Sequence, residues 1–134
     1  MSSLELPAGK TSAFVISFDF DAEEVWLAEN PENVNRPGVL SQGTYGAKVG
    51  LGLVLDTLDT LGLPATFFTP GRVAQRYPDQ MREIVAHGHE LGHHGYTHTS
   101  PTKLSKSEEL EELLKGKEAL EQFGVQVTGY RSPS

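Results

Sequence analysis

Apolar and polar positions change rhythm several times along the chain, and each change marks an element. Residues 12–18, with Ala13, Phe14, Val15, Ile16 and Phe18, have the β-branched and aromatic content of a buried first strand. Between 25 and 44 the rhythm is lost, and Trp26, Pro31, Pro37, Gly38 and Gly43 predict a long irregular connection. Leu51, Val54, Leu55, Leu58 and Leu61 then recur at helical spacing and stop at Gly62 and Pro64. A second strand is predicted over 64–69, a short helix over 72–77, and a helix from Pro78 to Gly88 with Met81, Ile84 and Val85 on its apolar face. Glu90, Leu91 and Gly92 read as a third strand. Ser105 and Glu108 have capping-box spacing and open a long helix. Its predicted stripe is Leu110, Leu113, Leu114, Leu120 and Phe123, with Glu111 and Lys115 as a surface pair and the remaining glutamates as its wet face. Gly124 ends that helix before a fourth strand over 125–130. Strands alternating with helices predict an α/β fold with a parallel sheet. Residues 1–11 read as a flexible lead-in.

The chain has 134 residues, one domain's worth, and a formal net charge of -7. That charge opposes nonspecific binding to nucleic acid or to an anionic membrane, and no basic patch with interleaved aromatics offsets it. With no cysteine, a metal must be held by nitrogen and oxygen. The first residues lack the basic start and apolar run of a secretion signal, which makes the cytoplasm the expected location.

Candidate chemistry concentrates at two strand ends. Phe18 and Phe20 alternate with Asp19 and Asp21, so the two carboxylates point the same way. Two carboxylates on one face repel unless a cation or proton lies between them. Glu23 and Glu24 are expected in a solvated loop. His94 and His98, four residues apart, can turn ring nitrogens toward one point, and a carboxylate from the aspartate pair would leave a catalytic metal with an open position. His93 could replace His94 if the register shifts by one, whereas His87 and His89 read as structural histidines satisfied by backbone or water. Trp26 is either a stacking platform for a sugar or ring, or the anchor of its own loop.

Three segments in order resemble the polysaccharide deacetylases of carbohydrate esterase family 4: Ser17-Phe18-Asp19-Phe20-Asp21, then His94-Gly95-Tyr96-Thr97-His98 introduced by His89-Glu90-Leu91-Gly92, then Arg131-Ser132-Pro133. Pro64-Ala65-Thr66-Phe67-Phe68 resembles the strand found between the first two. The resemblance implies that Asp21, His94 and His98 hold Zn²⁺ or another divalent ion such as Co²⁺, Ni²⁺ or Mn²⁺. It implies Asp19 as the base, Arg131 as its aligning partner, and the backbone near Ser134 as an oxyanion donor. Tyr96 and Trp26 are expected beside the substrate. Phe20 between the two aspartates is similar to a subgroup that includes peptidoglycan deacetylases and hydrolases of cyclic imides or ureides.

The implied fold is a distorted (β/α) barrel about twice this length, with a histidine general acid that would lie beyond Ser134. Residues 12–134 are therefore expected to be a partial domain, truncated at the C-terminus or completed by a partner chain. Open sheet edges and an uncovered apolar helix face would then favour self-association. The implied activity is metal-dependent hydrolysis of a non-peptide carbon–nitrogen bond, foremost deacetylation of N-acetylated amino sugars in a polysaccharide such as peptidoglycan. Hydrolysis of a small cyclic imide or ureide is the alternative on the same scaffold. Outside hydrolysis stand an iron oxygenase using the same three ligands, which leaves Asp19 and Arg131 without roles, and an inactive metal-binding or interaction fragment.

Overall fold

A computed structural model describes residues 6–133. Three short parallel strands form its sheet: β1 (Ser17–Asp19), β2 (Thr66–Thr69) and β3 (Glu90–His93), with β2 in the centre. Asp19 lies level with Phe68, and Phe68 with Gly92. On one face Phe67 and Leu91 enter the core. On the other, the Phe68 ring lies where a side chain on Gly92 would stand, 2.6 Å from an ideal Cβ, so glycine at 92 makes room for that ring.

The first strand is shorter than its composition predicts. Phe14 and Val15 are 89% and 76% exposed, because strand pairing needs a neighbour and β2 reaches back only to Thr66, whose N–H donates to the Ile16 carbonyl at 3.1 Å.

The irregular connection predicted over 25–44 is instead a chain of short helices: α1 (Glu24–Glu29), a 3₁₀ turn (Pro31–Asn35) and α2 (Pro37–Gly43). Proline starts two of them, where its missing N–H costs nothing, and the Asn30 side chain accepts from the Glu32 N–H. A π turn (Gly46–Gly50) leads into α3 (Leu51–Leu61), which ends at Gly62 with φ +64° as its spacing predicts. Glu23 and Glu24 are buried rather than solvated, Glu24 to 1% exposure. The Glu23 carboxylate accepts from Arg76 at 2.6 Å and from the Tyr77 hydroxyl at 2.7 Å, and Glu24 faces Arg72 and Arg76 at 3.6 and 3.4 Å. Two arginines one helical turn apart draw these carboxylates inward and tie the start of α1 to the helix that follows β2.

That helix is α4 (Gly71–Arg76), followed by α5 (Pro78–Ala86) and, after β3, by α6 (Lys106–Glu121). The capping box at Ser105 and Glu108 is formed. Leu110 and Leu114, however, are 56% and 61% exposed. The face of α6 that meets the body runs through Gly116, Ala119 and Leu120. An ideal Cβ on Gly71 would lie 2.9 Å from the Gly116 Cα, so glycine on both helices lets α4 and α6 cross nearly backbone to backbone. The fourth strand is reduced to one parallel bridge, Tyr130 with His93. Val127 N–H is taken by the Glu121 carboxylate, and only at Gly129 and Arg131 does this segment bond to His93. Among the described residues no helix is long and apolar enough to cross a membrane.

Candidate metal centre and adjoining base

The carboxyl ends of β1 and β3 deliver the candidate side chains. Past Asp19, the Phe20 N–H donates to the Phe68 carbonyl at 2.8 Å and its ring is buried, so period-two alternation turns Asp21 to the side of Asp19. Ala22 follows with φ +45°. Past β3, the His94 N–H donates to the Thr69 carbonyl at 3.3 Å, and the chain turns through Gly95 to His98, which adopts φ +58°. Left-handed backbone at an alanine and a histidine is costly; Ala22 directly follows one of three side chains that meet here, and His98 is another.

Those three are Asp21, His94 and His98. Asp21 Oδ1 lies 3.6 Å from His94 Nε2, and Oδ2 lies 3.6 Å from His98 Nε2. All three donor atoms fall within 4.8 Å of one another, the one such group of three metal-ligating side chains among the described residues. His94 Nδ1 is 2.7 Å from the Arg131 carbonyl. A carbonyl only accepts, so Nδ1 carries the proton and Nε2 presents its lone pair to the cluster. Burial raises the Asp21 carboxyl above the usual carboxylate range, opposed by His98 and His94. Burial likewise lowers His98, opposed by Asp21, and a neutral imidazole is the form that ligates a metal.

The donor set fits a small divalent cation. Two ligand atoms each about 2.1 Å from an ion in tetrahedral array are about 3.4 Å apart, close to the 3.6 Å seen here. Asp21 Oδ1 is buried with no hydrogen-bond partner among the described residues, a lone pair that a cation would satisfy. Three protein ligands leave a position open.

Asp19 stands beside this group at the solvent edge. The Arg131 guanidinium donates to its carboxylate and, through the other terminal nitrogen, to Ser17 Oγ at 2.7 Å. The guanidinium stacks over Phe68, 4.1 Å from the ring centroid. Ser17 has no role in the reading from sequence, although its place two residues before Asp19 puts both on one face of β1.

Other candidates are placed elsewhere. His93 is buried against Gly116 of α6 and the Tyr130 ring, apart from the cluster. His87 Nδ1 meets the Asp59 carboxylate at 2.7 Å. His89 packs near Phe67, and neither ring nitrogen has a hydrogen-bond partner among the described residues, which corrects the expectation of a satisfied histidine. Trp26 packs on Gly43 while its carbonyl accepts from the Asn33 side chain, the contacts of a loop anchor. The Tyr96 ring lies on Gly71 and its hydroxyl donates to Gln75 at 3.1 Å, facing α4. The oxyanion donor expected at Ser134 lies outside the described residues. Glu112 of α6, assigned by its sequence context to the wet face, reaches the loop before His98: its carboxylate accepts from the backbone N–H of Tyr96 and Thr97, both at 2.8 Å, and from the Thr97 hydroxyl at 2.9 Å.

Comparison with known proteins shows the family. Residues 46–134 match the model of the family described as polysaccharide deacetylase. A peptidoglycan deacetylase of Helicobacter pylori is 35% identical over 116 residues, which cover 86% of this chain and 39% of that protein. A crystal structure from Mycobacterium smegmatis, assigned as a polysaccharide deacetylase, superposes with a TM-score of 0.92 at 41% identity over 99% of this chain and 47% of its own. The PuuE allantoinase superposes with a TM-score of 0.66 at 30% identity, over 69% of this chain and 31% of its own. The chain spans about two fifths of the length of the curated relatives it matches, and its parallel β/α arrangement is a portion of their barrel fold. The chain belongs to the polysaccharide deacetylase family.

Proposed function

We propose that this chain carries the metal-holding and proton-accepting residues of a hydrolase that removes the acetyl group from N-acetylated amino sugars of a polysaccharide such as peptidoglycan. The observation that supports it most is the meeting of Asp21, His94 and His98 at 3.6 Å spacings beside an aspartate held by arginine. Asp21, His94 and His98 would hold the ion. Zn²⁺, or Co²⁺, Ni²⁺ or Mn²⁺, bound there would supply Lewis acidity toward an amide carbonyl and an attacking water.

Asp19 takes the proton of that water. Its exposure lets water reach it, and the Arg131 guanidinium holds the carboxylate aligned through a charge-assisted bond. Ser17 fixes the second arm of the guanidinium, so Arg131 cannot swing away without losing both bonds. A neutral acetamide suits a chain of net charge -7, since no cationic clamp on the substrate is needed. The H. pylori peptidoglycan deacetylase supports the glycan as substrate.

A second reading, hydrolysis of a small cyclic imide or ureide, is favoured by the likeness to an allantoinase. The complete protein decides between them when acetate release from N-acetylated peptidoglycan and ring opening of a cyclic ureide are assayed side by side. Acetate release that stops on chelation and returns with Zn²⁺ or Co²⁺ is the expected result. Ring opening without any acetate would overturn the glycan assignment, and activity unaffected by thorough chelation would overturn the metal.

A further inference from the structure

Between His94 and His98 the chain makes a turn with two left-handed residues, Gly95 at φ +74° and His98 at φ +58°. A non-glycine residue holds such a conformation only where its surroundings over-determine it. The backbone N–H groups of Tyr96 and Thr97 have no acceptor within the turn itself. Both point at a single oxygen, Oε2 of Glu112, at 2.8 Å, while Oε1 accepts from the Thr97 hydroxyl at 2.9 Å. Because the Thr97 hydroxyl spends its proton on Glu112, the Thr99 hydroxyl, 2.8 Å away, must donate to Thr97 and so extends the brace past His98. The glutamate reaches the turn because α6 lies so close. One helical turn beyond it is Gly116, where an ideal Cβ would stand 2.7 Å from the Gly95 carbonyl.

We infer that Glu112 is the positioning residue of the proposed metal centre: its carboxylate fixes the turn that aims His98 at Asp21 and thereby sets the affinity of the site for a divalent cation. The inference rests on the reading of Asp21, His94 and His98 as ligands, and Glu112 itself touches none of the three. A glutamine at 112 keeps a carbonyl oxygen for the two N–H groups and offers its amide to the Thr97 oxygen. An alanine removes every one of these bonds.

The test measures Zn²⁺ affinity by competition with a chromophoric chelator, together with amide hydrogen exchange at Tyr96 and Thr97 in metal-free protein. Glu112→Ala is expected to weaken Zn²⁺ binding by about 10- to 100-fold, the range for lost outer-shell partners, and to speed exchange at both amides. Glu112→Gln is expected to stay within a few-fold of the parent. Leu120→Ala, which destabilises the same helix from its buried face, controls for general loosening and should leave the affinity of the folded protein unchanged. Equal losses in Glu112→Ala and Leu120→Ala, or unchanged exchange at Tyr96 and Thr97 in Glu112→Ala, would overturn the inference. Failure of the unsubstituted protein to bind Zn²⁺, with the exchange effect present, would overturn the metal reading and reduce Glu112 to a brace of the turn.

Discussion

The imidazole of His94 donates through Nδ1 to the backbone carbonyl of Arg131 at 2.7 Å. One bond therefore couples the residue that orients the proposed base to a proposed ligand: the Arg131 side chain holds Asp19, and its carbonyl sets the tautomer of His94. The backbone closes the link in the other direction, with the Arg131 N–H donating to the His93 carbonyl at 2.9 Å. Displacement of residues 129–131 from β3 would disturb base and ligand together.

His94→Ala removes a donor whose Nε2 faces Asp21 at 3.6 Å. Zn²⁺ affinity is expected to fall by more than about 100-fold, beyond the range for outer-shell changes. His87→Ala removes a surface partner of Asp59 instead and should leave Zn²⁺ affinity unchanged. Equilibrium dialysis of both variants checks the assignment. If His87→Ala is the variant that empties the site, the ligand set is wrong.

Arg131 and Asp19 separate binding from chemistry. Asp19→Asn in the complete protein is expected to lower kcat by about 10²- to 10⁴-fold, the usual contribution of a general base, with Zn²⁺ binding retained. Arg131→Lys should also lower kcat, because an ammonium cannot bridge the Asp19 carboxylate and Ser17 Oγ as the planar fork does. Steady-state kinetics with metal content measured in parallel is the check, and loss of metal in Asp19→Asn would move Asp19 among the ligands.

The close crossing of α4 and α6 predicts opposite outcomes for two glycines in helices. At Gly116 an added Cβ would stand 2.2 Å from His93 Nε2, so Gly116→Ala is expected to destabilise the protein by about 1–3 kcal/mol, as overpacking does. At Gly52 of α3 nothing lies within 4 Å, and Gly52→Ala should stabilise by about 0.5–1 kcal/mol through helix propensity. Thermal or urea unfolding of both reads the signs. A stabilised Gly116→Ala would refute the crossing.

Much of this was legible in the sequence wherever a local rule acts alone. Leu51 to Leu61 closing at Gly62, and Ser105 paired with Glu108, follow from helical period and capping chemistry, and both form as expected. Strand ends and a four-residue spacing pointed to His94, His98 and a carboxylate of the Asp19–Asp21 pair, and the resemblance to the deacetylases singled out Asp21 as the ligand. Long-range pairing was not legible. Phe14 and Val15 have strand composition, yet among the described residues no strand pairs with them. Glu23 and Glu24 looked solvated because their partners, Arg72 and Arg76, are about fifty residues away. Glu112 sits among glutamates that do face water, and only the folded position of the Tyr96 and Thr97 amides distinguishes it.

His89 predicts how stability responds to acid. It is buried near Phe67 with both ring nitrogens lacking a hydrogen-bond partner among the described residues, and burial pushes its pKa below the ordinary histidine value, opposed by Asp59 and reinforced by His87. The unfolded chain therefore takes up a proton near pH 6.5 that the folded chain still refuses. The contribution of this group to stability is complete above about pH 6.5 and declines as the pH falls below it. His93 shifts in the same direction through burial. Glu23 acts in a separate window: despite burial, which pushes it up, its bonds to Tyr77 and Arg76 hold it below the usual glutamate value. Its contribution is present above the ordinary glutamate pKa of about 4.3 and is lost as the pH falls through the lowered folded value. When metal-free protein is unfolded by urea between pH 7.5 and 5, His89→Leu should lose less stability on acidification than the parent, while His93 and His98 still contribute in the same direction. Parallel slopes for the parent and His89→Leu would show that the His89 imidazole accepts its proton in the folded state.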